Sequence, residues 1–219
     1  MKKDKIKICE IFKSVQGEGR YQGYPALFVR VSECTRNCSI CDTRYHVKGK
    51  IWKVEELANK ICTTLTLNPV NIMVYSGGEP LLYLSQIKKL NRRIKKHLPN
   101  IEFHIETNGD LIKSNWNAES LIRNFSYVCI SPKDVKTAKR IHKLFSPYSY
   151  FYYDIKVVTD LKSVGVDLIP YATMLQPLTT YNKKKDLKIK QRVWEYCVQH
   201  GLFYSGRLHV EVWGKRKGV

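Results

Sequence analysis

Three cysteines crowd into one short stretch as Cys34-x3-Cys38-x2-Cys41. Thiolates at this spacing can wrap one metal ion or one cluster. An iron–sulfur cluster held by protein alone usually takes four cysteines. Three would leave one iron open to a small molecule carrying an amino group and a carboxylate. His46 follows Cys41 by five positions, so Cys34, Cys38, Cys41 and His46 also supply the donor set of a Cys3His zinc site. The spacing leaves both readings open. The chain has seven cysteines in all, an odd number that argues against a scaffold in which every cysteine is paired. Cys9, Cys62, Cys129 and Cys197 lie among apolar neighbours and read as buried small hydrophobes.

A second group of residues falls where strand-like runs end. Ser76-Gly77-Gly78-Glu79-Pro80 follows one run, Glu106-Thr107-Asn108-Gly109 and Ser131-Pro132-Lys133 end two others, and Gln176-Pro177 follows a fourth. Taken singly, each is ordinary turn chemistry. In α/β folds, however, ligands bind beyond the C-terminal ends of parallel strands, and four such segments in succession mark one rim.

The elements that must carry this rim are legible from periodicity. Alternation and β-branched enrichment predict strands over residues 6–12, 26–31, 72–75, 101–106, 127–130, 152–158, 168–175 and 208–212. Helical spacing predicts helices over 54–65, 86–97, 118–125, 135–145 and 187–200, the third with Asn117 as its N-cap. From residue 54 onward helix and strand alternate, which argues for a mostly parallel sheet with crossover helices. A complete eight-unit barrel needs about 250 residues. With 219 residues and no linker, the expectation is a single domain over residues 1–219, built as a partial, incomplete TIM-like α/β barrel.

Lys plus Arg number 38 against 19 for Asp plus Glu, a formal charge of +19 that favours anionic partners. The excess concentrates in residues 88–96 and 183–190. There Ile87, Leu90 and Ile94, and Leu187 and Val193, recur at helical spacing. Both stretches read as surface helices with lysine-rich solvent faces. No nucleic-acid motif accompanies them, so nucleic acid is not the expected partner. A hydrophobic share of 43% excludes a disordered basic tail. No apolar signal region follows the N-terminus, and no run approaches the ~18 apolar residues of a membrane helix. A cytoplasmic protein with no membrane partner is expected.

With Ile40 just before its last cysteine, the cysteine motif resembles the signature of the radical S-adenosylmethionine (SAM) superfamily, and Ser76-Gly77-Gly78-Glu79-Pro80 resembles that superfamily's Gly-Gly-Glu motif. A narrower likeness follows. Glu10-Ile11-Phe12-x-Ser14-Val15-Gln16-Gly17-Glu18-Gly19-x3-Gly23-x-Pro25-Ala26-x-Phe28-x-Arg30, then Cys41-Asp42-Thr43, the strand-end segments and the tail from Arg207 to Gly214 resemble the 7-carboxy-7-deazaguanine synthases over nearly the whole chain. Glycyl-radical activases and RNA modifiers share the cysteine motif but do not account for Gln16-Gly17-Glu18-Gly19.

The resemblance implies a partial barrel of the radical SAM type. It also implies a ring contraction of 6-carboxy-5,6,7,8-tetrahydropterin to 7-carboxy-7-deazaguanine with loss of ammonia. The implied cofactors are a 4Fe–4S cluster, SAM and Mg2+. Cys34, Cys38 and Cys41 would hold the cluster and Thr43 the Mg2+. Ile40, Asp42, Gly78, Glu79, Glu106, Ser131, Pro132, Lys133, Gln176 and Pro177 would bind SAM. Val15, Gln16, Gly17, Glu18, Arg30, Ser76 and His209 would bind the pterin. A homodimer and an external one-electron donor of the flavodoxin or ferredoxin type are implied as partners. The chain departs from the family at Glu33, where Gly is common before the first cysteine, and at Ile40, where an aromatic is common. Glu33 would bring a charge beside the cluster.

Overall fold

A computed structural model describes residues 4–38, 41, 48–67, 69–216 and 218. Among these residues, nine strands form one open sheet. They are β1 (Lys5–Val15), β2 (Pro25–Val31), β3 (Lys50–Lys53), β4 (Ile72–Gly77), β5 (Glu102–Thr107), β6 (Tyr127–Ile130), β7 (Tyr153–Thr159), β8 (Met174–Pro177) and β9 (Phe203–Tyr204). Their order is β3-β1-β2-β4-β5-β6-β7-β8-β9. β1 runs antiparallel to β2 and β3. From β2 to β9 every neighbouring pair is parallel. The long helices are α1 (Val54–Leu67), α2 (Leu84–His97), α3 (Asn115–Asn124), α4 (Val135–Phe145) and α5 (Lys183–His200), followed by the short α6 (Leu208–Trp213). The expected incomplete α/β barrel is this open sheet.

The pleat divides the work between two faces. Leu27, Val29 and Val31 of β2, Met73 and Tyr75 of β4, Phe103 and Ile105 of β5, Val128 and Ile130 of β6, and Ile155 of β7 pack in one buried cluster with α1 to α4. A smaller cluster joins Val157 and Leu175 to Ile189, Val193 and Cys197 of α5. In α5 the residue facing this core is Ile189; Leu187 is 57% exposed, contrary to the face expected from spacing. Alternate residues point to the other face. Near the strand starts these are Ala26, Phe28, Ile72 and Val74 on β2 and β4 but Glu102, His104 and Asp154 on β5 and β7, and at the strand ends they become Arg30, Ser76, Glu106, Cys129, Lys156 and Gln176.

Two expected strands are different structures. Only Met174–Pro177 of residues 168–175 and their neighbours pairs as a strand; Val166–Tyr171 is a 3-10 turn. Pro170 lies inside that turn, where its missing N–H would break a sheet ladder. Residues 208–212 are helical: Leu208 N–H bonds Gly17 O at 2.8 Å, and Val210 and Glu211 N–H bond Arg207 O at 2.9 and 3.1 Å. The alternating pattern of α6 thus reports a helix that docks by one end. The edge strand β3 and the two-residue β9 were not expected. β3 is lysine-flanked, with the Lys50 ammonium 4.3 Å from the Trp52 ring centre. α3 starts at Ser114, whose hydroxyl accepts from Asn117 N–H at 3.4 Å; Asn117 is therefore inside the helix, not its cap.

Candidate active site

One cavity of about 520 Å³ opens at the C-terminal ends of β2 and β4 to β8, a volume suited to small molecules. Into it open Cys34, Cys38 and Cys41, together with Val15, Gln16, Gly17, Glu18 and His209. Arg30, Ser76, Gly78, Glu106, Ser131, Lys133, Gln176 and Pro177 also line it. Residues far apart in sequence are brought together as the strand-end pattern predicted. Ile40, Asp42, Thr43 and His46 lie outside the described residues.

The cysteine loop is pressed against the turn after β4. Gly78 N–H bonds Val31 O at 2.9 Å and Glu79 N–H bonds Glu33 O at 2.8 Å. A Cβ on Gly78 would stand 1.8 Å from Glu33 O, and Gly77 holds φ +104 with its own added Cβ 2.5 Å from Val31 O. Only glycines permit this approach. Glu33 adopts φ 71, a left-handed conformation that glycine takes without steric cost. Its carboxylate turns to the Tyr83 hydroxyl at 2.9 Å and to Lys7 at 3.7 Å and does not line the cavity.

Among the described residues, no three His, Cys, Asp or Glu side chains form a group that could hold a single metal ion. In a cubane each cysteine binds a different iron, so thiols ranged around a cavity suit a cluster. Burial raises the Cys34 pKa, with the charges of Glu79, Cys38 and Cys41 adding to it and the Arg36 backbone N–H opposing. Cys129, the other thiol on the wall, sits with Lys156 and Glu106, and burial pushes it up to about 12. Three thiols from one loop, all open to the cavity, fit a cluster that keeps one iron open.

Two residues expected to bind SAM, Glu79 and Pro132, are buried and do not line the cavity. Glu79 is 0% exposed. Its Oε1 accepts from Leu81 N–H at 3.0 Å and Thr107 Oγ1 at 2.6 Å, and its Oε2 from Asn108 N–H at 2.8 Å. Burial raises its pKa while these bonds pull it down. Its carboxylate ties the turn after β4 to that after β5. Pro132 is buried and fixes the turn between Ser131 and Lys133, whose ammonium donates to Ser131 Oγ at 2.9 Å.

A second group on the cavity is built around Glu18. Arg207 Nε donates to its Oε1 at 2.9 Å, His209 Nε2 lies 3.9 Å from that oxygen, and the Lys156 ammonium donates to Oε2. Burial alone would raise the Glu18 pKa, but Lys156, Arg207 and His209 hold it well below the carboxylate range. Burial would likewise lower the Lys156 pKa, and Glu18 with its neighbours raises it instead. Gln16 Nε2 donates to Glu106 at 3.1 Å, and Gln16 Oε1 accepts from Glu18 N–H at 3.1 Å. Burial raises the Glu106 pKa, Lys156 opposing and Glu18 adding to it. Arg30 pairs with Glu10 at 3.6 Å and lies 5.0 Å over the Phe12 ring.

The loop carrying Gln16 to Gly19 is anchored at its base. Arg20 makes two bonds of 3.0 Å to the buried Asp154, and Gly19 N–H bonds Ser205 Oγ at 2.8 Å. Lys156, Arg207, Arg36 and Cys129 line the cavity and were not foreseen. The signal for Lys156 was present: Asp154 and Lys156 alternate within an otherwise apolar strand, two charges on one face.

Residues 29–185 match the radical SAM superfamily. A 7-carboxy-7-deazaguanine synthase of Pyrobaculum aerophilum is 28% identical over 226 aligned positions, covering 98% of this chain and 97% of that protein. One from Methanothermobacter thermautotrophicus is 32% identical and covers 73% of this chain and 65% of its own length. The crystal structure of QueE from Escherichia coli shares the fold at TM-score 0.56 and 17% identity, covering 94% of this chain and 95% of that one.

Proposed function

Because the chain belongs to the radical SAM superfamily and, within it, to the 7-carboxy-7-deazaguanine synthases, we propose that it converts 6-carboxy-5,6,7,8-tetrahydropterin to 7-carboxy-7-deazaguanine with release of ammonia. The product would feed the 7-deazaguanine bases of queuosine and archaeosine. One observation carries the reading: the three cysteines and the Gln16–Glu18 segment, which SAM binding alone does not require, open into the same cavity.

In this reading Cys34, Cys38 and Cys41 hold the 4Fe–4S cluster that the family uses with SAM. Bound there, the pair would supply one-electron chemistry for hydrogen abstraction from the substrate. The chain's own residues bind, orient and exclude water. Gly78 lets backbone approach the SAM amino end, while Glu106, Ser131, Lys133, Gln176 and Pro177 line its site. Glu79 and Pro132 shape that site from behind. Ile40 and Asp42 flank SAM, and Thr43 takes Mg2+, on the resemblance alone. A single neutral hydroxyl needs substrate oxygens and water to complete a Mg2+ octahedron.

The pterin would lie against Val15, Gln16, Gly17 and Ser76. Its pyrimidine edge offers adjacent N–H donors, and Glu18, kept charged by its cations, is the acceptor. Arg30 suits the substrate carboxylate because its fork pairs with one bidentately, and His209 closes over Gly17. An external one-electron donor is required. A homodimer and a cytoplasmic setting are part of the proposal.

The test is anaerobic reconstitution with iron and sulfide, then SAM, Mg2+, dithionite and 6-carboxytetrahydropterin, with product detected by mass. A brown protein that makes 7-carboxy-7-deazaguanine, and a C34A variant that does neither, supports it. SAM cleavage without product sinks the substrate assignment.

A further inference from the structure

We propose that Arg36 is a positioning residue: a clasp that shapes the three-cysteine loop by spanning to two carboxylates on two other loops of the rim. This rests on reading Cys34, Cys38 and Cys41 as cluster ligands. Arg36 lies between the first two cysteines. Its Nε and Nη2 donate to Asp110 Oδ2 and Oδ1, both at 2.6 Å, and Nη2 also donates to Asp134 Oδ2. Asp110 belongs to the turn after β5 and Asp134 to the turn after β6, so one guanidinium joins three loops around the cavity.

Both anchors are themselves held. Asp110 N–H bonds Asn108 Oδ1 at 2.9 Å. Arg140 of α4 reaches back to Ile112 O at 2.9 Å and Gly109 O at 3.3 Å. Asp134 caps α4 by accepting from Thr137 N–H at 2.7 Å. Asn108 Nδ2 donates to Thr35 Oγ1 at 2.9 Å and lies 3.9 Å from Cys34 Sγ, and Thr35 Oγ1 donates to Asp110 at 3.0 Å. With Glu33 O fixed by Glu79 N–H on the other side, the start of the loop is pinned at two points by protein groups alone. A planar fork with several donors can satisfy two carboxylates together, whereas a lysine offers a single point charge. Partners that orient metal ligands typically change metal affinity about 10- to 100-fold when removed.

The experiment compares wild type with R36Q, R36K, D134N and R36Q/D110N. Each is reconstituted with iron and sulfide, and loss of visible absorbance to a chelator is timed without oxygen. R36Q is expected to lose its cluster at least about 10-fold faster than wild type, while the melting temperature of the cluster-free protein barely moves. R36K should behave as R36Q, and the double variant no worse than R36Q. A readout without metal accompanies it: trypsin should cut cluster-free R36Q after Lys48 several-fold faster than wild type. Should R36Q not fold, D134N carries the test, because Asn caps a helix as well as Asp but leaves the clasp one charge short. An R36Q protein that holds its cluster and resists trypsin as wild type does overturns the clasp. A wild type that takes up no iron overturns the cluster reading instead, and trypsin then decides the clasp alone.

Discussion

The Lys156 ammonium and the Glu18 carboxylate, 138 residues apart in sequence, meet on the wall of the cavity. Their side chains are only 9% and 17% exposed. Removing two such charges from water costs several kcal/mol unless each finds partners. Arg207 and His209 complete the set around Glu18, and Glu106 and Cys129 face Lys156 from β5 and β6. The pair sets the charge state of the group proposed to read the pterin's N–H edge.

The sign of the pH dependence follows. The folded pKa of Glu18 lies below its unfolded value, so its pairing stabilises the fold above about pH 4.3, the ordinary glutamate value. That stabilisation is lost only as pH falls through the lower, folded value. Wild-type binding should therefore show no acid limb from Glu18. In K156M the largest opposing charge is gone, burial then dominates, and Glu18 and Glu106 both protonate more readily. Affinity of the cluster-free protein for 6-carboxypterin, measured by titration calorimetry, should fall from neutral to mildly acidic buffer in K156M but not in wild type. Stability should drop by about 3 kcal/mol. Identical pH profiles would remove Lys156 from this role.

Gly17 and His209 make a second testable contact. A Cβ on Gly17 would lie 2.1 Å from His209 Nδ1 and 2.9 Å from its Cγ. G17A must expel the imidazole or shift α6, which docks through the Leu208 N–H to Gly17 O bond at 2.8 Å. Overpacking of this kind costs about 1–3 kcal/mol. H209A removes the obstructing ring. The G17A/H209A protein should therefore melt above G17A, a coupling that a double-mutant cycle reads directly. Additive losses would mean that the two residues do not touch.

The sequence exposed the rim better than what supports it. Turn segments at strand ends carry their own residue signature, so Gly78, Glu106, Ser131 and Gln176 were legible from position alone. Arg207 was not, because it joins the cavity wall through Glu18, and pairing across 189 residues leaves no local pattern; for Lys156 the one local sign was a second charge alternating with Asp154 in an apolar strand. α6 misled for a related reason. Leu-His-Val-Glu-Val alternates as a strand does, but no sheet edge receives it, and the backbone bonds of Arg207 close a helical turn instead. Glu33 reads as a charge beside the cysteines, yet its left-handed backbone turns the carboxylate toward Tyr83 and Lys7.

Glu79 separates support from contact most sharply. Its three donors, Leu81 N–H, Thr107 Oγ1 and Asn108 N–H, converge on a carboxylate with no exposed surface. Glutamine has one acceptor oxygen, so E79Q must turn its amide nitrogen toward at least one of those donors. Leaving a buried donor unpaired costs about 1–3 kcal/mol. The loss should be measurable in cluster-free protein without SAM, by chemical denaturation. It should come with looser SAM binding once the cluster is in place, because the turns after β4 and β5 lose their common anchor. Were Glu79 to act through direct contact with SAM instead, E79Q would leave the cluster-free stability unchanged and weaken only SAM.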